Sequence, residues 1–218
     1  RDFCLSRGLG DVYKRQAENF PQDVQELQAW LSNNSPIPGV TAFPGVGTNV
    51  PLYILGSSMF GASLAAKLGL PYSFASHFAP QQLEQATTYY RENYEPSERY
   101  PEPYCIAAVN VTASSSTEDA KRQKEIVHRQ RVRAFVERQG TPLTDAQLDS
   151  VIHSFQGQQI IDMLRYTAVG TGDEVKEYLE WFKEHAKADE LMISLQSASE
   201  EEQAASMEIL ADAWGLRG

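Results

Sequence analysis

The stretch that decides the fold is Pro51-Leu-Tyr-Ile-Leu-Gly-Ser-Ser58, which runs into Phe60-Gly-Ala-Ser-Leu-Ala-Ala-Lys-Leu68. Its first five residues form a short apolar run, which is typical of a strand buried on both faces. The second segment has the small and apolar residues of a packed helix, and Gly69 is a residue type that commonly ends one. The stretch therefore predicts a buried strand, a turn and a helix, which is the repeating unit of a parallel α/β fold.

The same unit recurs along the rest of the chain. Further buried strands are predicted at 72–76, 104–112 and 190–194, and further helices at 20–32, 81–94, 171–186 and 199–214. No hairpin signal separates the strands, which favours parallel pairing through helical crossovers. An eight-unit barrel takes about 250 residues, so four units over residues 51–214 predict about the second half of a (β/α)8 TIM barrel. An open doubly wound sheet is the alternative that periodicity leaves open.

Two polar, Gln-rich segments, 116–139 and 144–164, interrupt this pattern and predict a helical insertion. Thr144 and Gln147 have the spacing of a capping box at the start of the second segment. Val169-Gly-Thr-Gly-Asp-Glu174 fits either a phosphate-binding loop or another capping box, and the capping box is the interpretation that we favour.

Composition narrows the class of protein. The 218 residues are 42% hydrophobic, which is enough for a packed core, and the formal net charge of −10 has the wrong sign for a nucleic-acid binder. Cys4 and Cys105 lie far apart without metal-ligand spacing, so neither a disulfide framework nor a metal site is predicted. No apolar run approaches the ~20 residues of a membrane helix and no secretory leader is visible, so we expect a cytoplasmic protein without membrane contact.

The first 16 residues differ from the rest of the chain. They lack periodicity, contain mixed charges and two glycines, and end in Asp11-Val-Tyr-Lys-Arg-Gln16. This stretch of residues resembles the translated read-through of a sequencing adapter. We therefore expect residues 1–16 to be a non-native tail and residues 17–218 to form a partial domain, while a natural basic arm is the alternative.

A candidate anion site follows the deciding strand. Gly56, Ser57 and Ser58 lie between a strand and a helix N-terminus, where backbone amides and the helix dipole attract an anion and hydroxyls add donors. In a barrel this turn lies at the C-terminal ends of the strands, the face on which barrel active sites are built. The turn predicts a phosphate-binding site, and simple N-capping by Ser57 or Ser58 is the structural alternative.

Histidines divide into one candidate and three others. His77 follows the next predicted strand and so faces the same edge, either as a pocket residue or as a histidine satisfied within the barrel rim. His128, His153 and His185 lie on polar predicted helices without metal-ligand spacing, and we expect them to be solvated.

Several segments, taken in order, resemble the bacterial-luciferase-like flavin-dependent monooxygenase family, in its luciferase-like class oxidoreductase subgroup. The resemblance runs from Ala17 to the C-terminus and is specific through the combination of its segments. These are Glu18-Asn-Phe-Pro-Gln-Asp-Val24, Pro51-Leu-Tyr-Ile-Leu-Gly-Ser-Ser58, Leu64-Ala-Ala-Lys-Leu-Gly-Leu-Pro71, Phe74-Ala-Ser-His-Phe78, Val169-Gly-Thr171 and Asp189-Glu-Leu-Met192.

The resemblance implies an enzyme in which reduced FMN, supplied by a flavin reductase, reacts with dioxygen and oxidises an unidentified organic substrate. It implies that Gly56, Ser57 and Ser58 bind the FMN phosphate, that His77 lies near the flavin ring or substrate, and that the parent protein is a homodimer. A deazaflavin-dependent oxidoreductase and a non-catalytic flavin-binding barrel are the alternatives.

Two departures limit what the resemblance implies. The family's signature histidines belong to the first half of the barrel, so no catalytic residue is assigned in this sequence. The segment Ser197-Ala-Ser-Glu-Glu-Glu-Gln-Ala-Ala205 lacks the aromatic and arginine residues usual after the last strand, which puts any ligand contact there in doubt.

Overall fold

The computed structural model describes residues 19–137 and 142–216, and these residues divide into two units with their boundary after Leu52. The first unit contains helix α1 (residues 19–31) and a long loop. Main-chain bonds from Asn49 N to Leu31 O (2.9 Å) and from Gly47 N to Ser32 O (3.2 Å) tie the loop to the end of α1. The tail predicted at residues 1–16 lies outside the described part of the chain.

The second unit alternates strands and helices in chain order. Its strands are β1 (Ile54–Gly56), β2 (Tyr72–Phe74), β3 (Cys105–Ala113), β4 (Thr167–Gly170) and β5 (Glu190–Leu195). Its helices are α2 (Met59–Leu68), α3 (Leu83–Glu92), α4 (Thr117–Glu137), α5 (Asp145–Ile152), α6 (Phe155–Asp162), α7 (Gly172–His185) and α8 (Glu200–Ala213). Every strand is followed by at least one helix, which is the connection that parallel strands require.

All five strands pair in parallel in one sheet around β3. Tyr104 O accepts from Tyr72 N and Asn110 N donates to Tyr166 O, whereas the Cys105 carbonyl accepts from the main chain that leads into β5. Because successive peptide groups point to opposite edges of a strand, β2 and β4 lie along one edge of β3 and β5 lies along the other. The predicted parallel α/β class is therefore confirmed.

Burial follows from the central position of β3. All nine of its residues are buried, as expected for a parallel strand covered on both faces, whereas β5 is only partly covered. Among the described residues, β1, β4 and β5 each pair along one edge only, and Leu55 of β1 is 69% exposed. These three strands have only three, four and six residues.

The predicted helical insertion is present between β3 and β4. Helices α4, α5 and α6 enclose their own apolar cluster around Val132, Leu148 and Ile160. The capping box of Thr144 and Gln147 at the start of α5 is confirmed. The predicted single helix 144–164 is interrupted, because the Ser154 hydroxyl caps a new helix by accepting from the Gly157 amide at 3.2 Å.

Strand β4 was not predicted. Its four residues pair with Asn110–Ala113 of β3, and Gly170 ends it directly before α7. The capping box predicted at Thr171 and Glu174 is confirmed, and the Thr171 amide donates to Glu174 Oε2 at 2.8 Å. A strand this short, followed at once by a helix signal, leaves almost no periodicity to detect.

Candidate functional site

The C-terminal ends of β1 and β2 lie side by side. The Ala75 amide donates to the Gly56 carbonyl at 2.9 Å, so the segment after β2 continues along the end of β1. This contact brings the two predicted site segments, Gly56–Ser58 and the turn that carries His77, to the same edge of the sheet. Both segments belong to the second unit.

The turn after β1 is open. Ser57 is half-buried and Ser58 is exposed, and neither hydroxyl makes a hydrogen bond to another described residue. Ser58 has the extended backbone of an N-cap residue, but its side chain makes no capping bond. Neither serine side chain caps α2 in the structure, in contrast to the structural alternative. Both hydroxyls can therefore donate to a ligand.

Close packing brings α2 to this edge. A Cβ added at Gly61 would lie 3.3 Å from Tyr72 Cε2, whereas one added at Gly56 would lie 3.7 Å from the Gly61 Cα, an ordinary contact. The close packing of α2 on the sheet therefore depends more on Gly61 than on Gly56. The Met59 amide in the first turn of α2 donates to Gln82 Oε1 at 3.3 Å, so an oxygen acceptor already lies at this helix end.

His77 lies at the start of the turn after β2 and is half-buried. Its ring packs edge-on against Phe78, with ring centroids 4.7 Å apart, and its Nδ1 atom is buried without a hydrogen-bond partner among the described residues. Asn110 Nδ2 on β3 donates to the His77 carbonyl at 2.6 Å. The main chain of His77 is therefore fixed while its ring retains one unused nitrogen.

Electrostatics favour a neutral His77. Burial lowers the pKa of the His77 imidazole, and the nearby Arg131 guanidinium on α4 lowers this pKa further. Arg131 lies over the Phe135 ring at 5.2 Å from the centroid, and its Nε is buried without a hydrogen bond to the described residues. A neutral imidazole can either donate or accept a hydrogen bond at this position.

A carboxylate network that the sequence did not predict follows β3. Asp119 accepts from the Ser114 hydroxyl at 2.6 Å, from Gln123 Nε2 at 2.8 Å and from Arg122 Nε at 2.8 Å. These bonds, with that of Ser114 first, lower the pKa of Asp119 to about 2. Arg122 also pairs with Glu202, so the network links the ends of α4 and α8. Only the run of serines before α4 could have signalled it.

Two of the other three histidines differ from the prediction. His153 is exposed, as predicted for a solvated residue, but His128 and His185 are half-buried. Burial lowers the pKa of His128, and the His185 ring stacks on Trp181 at 4.9 Å and bonds the Tyr166 hydroxyl at 3.1 Å. His185 is covered by aromatic residues three and four positions earlier on α7 and by Tyr166 just before β4, which a polar helix pattern does not reveal.

The described residues also form a cavity away from this site. A groove of 650 Å³ lies between α7, β5 and α8 and is lined mainly by apolar side chains, among them Leu191, Ile193 and Trp214. Its β5 residues share one side of the strand and face the helices. The groove therefore lies on the helical side of the sheet and not at the strand ends.

Within the residues that the structure describes, no three His, Cys, Asp or Glu side chains are placed to hold a metal ion. Cys105 is a free, buried thiol, and burial raises its pKa to about 12.

Across the described part of the chain, no helix has both the length and the apolarity to cross a membrane.

Comparison with known proteins identifies the class. The family model for luciferase-like monooxygenases matches residues 13–207. A luciferase-like monooxygenase of Escherichia coli (strain K12) is 36% identical over 200 residues, which are 89% of this chain and 58% of that protein. The crystal structure of apo-MsnO8 matches with a TM-score of 0.74 at 25% identity, over 91% of this chain and 60% of that one. The coenzyme F420 dependent tetrahydromethanopterin reductase of Methanopyrus kandleri shares the fold alone, with a TM-score of 0.55 at 15% identity over 88% of this chain and 60% of that one.

The parallel sheet, its helical crossovers and these matches define an α/β protein of the TIM-barrel type, as the sequence predicted. The chain belongs to the luciferase-like monooxygenase family. It spans 58% of the length of the Escherichia coli relative and 60% of that of MsnO8.

Proposed function

We propose that this chain is the flavin-binding part of an FMN-dependent monooxygenase that oxidises an organic substrate with dioxygen. Family membership supports the reaction class. The observation that carries the cofactor assignment is the turn after β1, where two serine hydroxyls have no partner among the described residues at the N-terminus of a ten-residue helix. Such a helix end attracts a phosphate through its amides and its dipole.

The residues present fit an FMN phosphate by their donor chemistry. Ser57 and Ser58 donate through their hydroxyls, and Gly56 carries no side chain between the strand end and the ligand. Asp or Glu side chains are absent from 56–63, so no fixed negative charge in this segment opposes a phosphate. Gln82 already presents one oxygen acceptor to the Met59 amide, which a phosphate oxygen would replace.

Bound reduced flavin supplies the electrons that activate dioxygen. The contribution of this chain is to hold the phosphate at Gly56–Ser58 and to place the neutral imidazole of His77 beside the ring or the substrate. A neutral imidazole adds no charge there and offers one hydrogen bond through Nδ1. No acid, base or nucleophile within this chain is assigned to the reaction.

A comparison of FMN with riboflavin tests the phosphate assignment. Riboflavin lacks the phosphate, so the 218-residue chain should bind oxidised FMN more tightly, as followed by quenching of flavin fluorescence. Ser57→Ala combined with Ser58→Ala should weaken FMN binding about a hundredfold or more and leave riboflavin binding unchanged, since each of the two bonds to a charged group contributes roughly 1.5–3 kcal/mol. Ser63→Ala, at an exposed serine on the same helix, is the control. Equal binding of both flavins would remove the basis for this site.

The same site leaves one alternative cofactor. A deazaflavin cofactor also carries a phosphate, and we consider it because the fold is similar to that of a coenzyme F420 dependent enzyme. Titration with both cofactors decides between them. Turnover that requires oxygen and a flavin reductase would distinguish a monooxygenase from a non-catalytic barrel.

We further propose that a reductase supplies the reduced FMN, that the parent protein is a cytoplasmic homodimer and that residues 17–218 are part of one barrel domain.

A further inference from the structure

We propose that Asn110 is a positioning residue that fixes His77 at the flavin site. This inference rests on the proposed function, because it concerns how the chain presents His77 to a bound flavin or its substrate. Asn110 lies on the central strand β3, and His77 lies in the turn after β2, 33 residues earlier in the chain.

Two side chains hold that turn against β3. The Ser76 hydroxyl donates to the Ala108 carbonyl at 2.5 Å, and Asn110 Nδ2 donates to the His77 carbonyl at 2.6 Å. Consecutive residues of the turn are thus bonded to β3 by hydrogen bonds outside the sheet ladder. The side chains of Ser76 and Asn110 are both fully buried, so solvent has little access to either donor.

Stability alone does not account for an asparagine at this position. Asn110 is completely buried between Val109 and Val111, and its Oδ1 has no hydrogen-bond partner among the described residues. A buried amide that satisfies only one of its two ends is unfavourable, and an apolar residue of the same shape avoids that penalty. The feature that the asparagine adds is its bond to the carbonyl of His77.

The first test reads this bond directly in the 218-residue chain without any ligand. The amide nitrogen of Phe78 shares a peptide bond with the His77 carbonyl, so its chemical shift reports whether that carbonyl accepts a hydrogen bond. Asn110→Leu keeps the shape and removes the donor, and we expect it to shift the Phe78 amide and the His77 ring signals. Asn93→Leu removes a similar amide bond, from Asn93 Nδ2 to Tyr89 O, at the far end of α3 and should leave both unchanged.

A second variant tests the same hydrogen bond if Asn110→Leu fails to fold. Asn110→Asp has the same shape and can donate only when its carboxyl is protonated. Its Phe78 amide should match the wild type at low pH and depart from it as the new carboxyl ionises, in a step additional to the titration of the His77 ring that both chains share. A Phe78 amide that is indifferent to the ionisation of this carboxyl would overturn the proposal.

A double-mutant cycle then tests whether Asn110 acts on FMN through His77. Asn110→Leu and His77→Ala should each weaken FMN binding, by up to about tenfold, and the double variant should bind no more weakly than His77→Ala alone. Additive losses would show that Asn110 acts independently of His77 and would overturn the proposal. If the wild-type chain binds no flavin, the proposed function fails, whereas the Phe78 amide still decides the link between Asn110 and His77.

Discussion

The hydroxyl of Tyr90 donates to the main-chain carbonyl of Leu70 at 2.9 Å, in a position where the ring is completely buried. The same oxygen accepts from the Tyr104 amide at 3.1 Å. One side chain of α3 therefore holds the main chain just before β2 and just before β3. His77 follows the other end of β2 and Asn110 lies in the second half of β3, so Tyr90 holds the end of the sheet opposite to the candidate site.

Tyr90→Phe should lower the free energy of unfolding by about 1–3 kcal/mol, because it leaves a buried carbonyl and a buried amide without their partner. Tyr89→Phe is the matched control, since Tyr89 is the neighbouring residue and is exposed. Urea denaturation of both variants measures the difference. Equal midpoints for the two variants would contradict a structural role for the Tyr90 hydroxyl.

Gly69 ends α2 with a φ of +58°, and an added Cβ would lie 2.5 Å from the Glu95 carbonyl. Gly215 has a similar φ of +65° after α8, but nothing lies within 4 Å of its added Cβ. Gly215→Ala should therefore destabilise by about 1 kcal/mol through backbone strain alone. Gly69→Ala should destabilise by clearly more, because main-chain atoms must also move. Thermal unfolding checks the order of the two variants, and the reverse order would contradict the packing around Gly69.

Much of the second unit follows from its sequence. Short apolar runs marked β1, β2, β3 and β5, and Gly69 marked the end of α2. These signals are local, so a sequence carries them in full. Strand β4 could not be predicted, because it has only four residues and passes directly into a helix. It also depends on pairing with Asn110–Ala113, residues that are distant in the sequence.

The candidate site could be predicted only in part. The order of strands and turns indicated that Gly56–Ser58 and His77 share one edge, because parallel strands end together. The bond from Asn110 to His77, the proximity of Arg131 to His77 and the pairing of Arg122 with Glu202 involve residues separated by helices in the chain. Side-chain contacts of this kind depend on packing, for which periodicity carries no signal.

The pKa of Asp119 tests the network after β3. The Ser114 hydroxyl is the largest of the influences that lower this pKa to about 2. Ser114→Ala should therefore raise the pKa of Asp119 toward its ordinary value of 3.8, as measured by carboxyl-carbon NMR during an acid titration. Gln123→Ala should raise it less, because the Gln123 hydrogen bond ranks below that of Ser114. A larger effect for Gln123→Ala would contradict this order.

The lowered pKa of His77 also affects stability. Above the ordinary value of 6.5, His77 is neutral whether the chain is folded or unfolded, so the shift has no effect there. As pH falls below 6.5, the unfolded chain takes up a proton more readily than the folded chain, and stability is lost. His77→Gln should thus lose less stability than the wild type between about pH 7.5 and 5.5, as followed by urea denaturation. His128, whose pKa burial also lowers, should keep part of the acid sensitivity.

Arg131 should account for the smaller share of the shift at His77. Arg131→Gln removes the guanidinium but leaves the burial that is the main cause, so the pKa of His77 should rise and still stay below 6.5. Arg99→Gln is the control, because Arg99 also lies over an aromatic ring, that of Tyr100 at 5.6 Å, but is exposed and does not contribute to the shift at His77. An NMR titration of the His77 ring measures both variants, and an unchanged pKa in Arg131→Gln would mean that burial alone keeps this imidazole neutral.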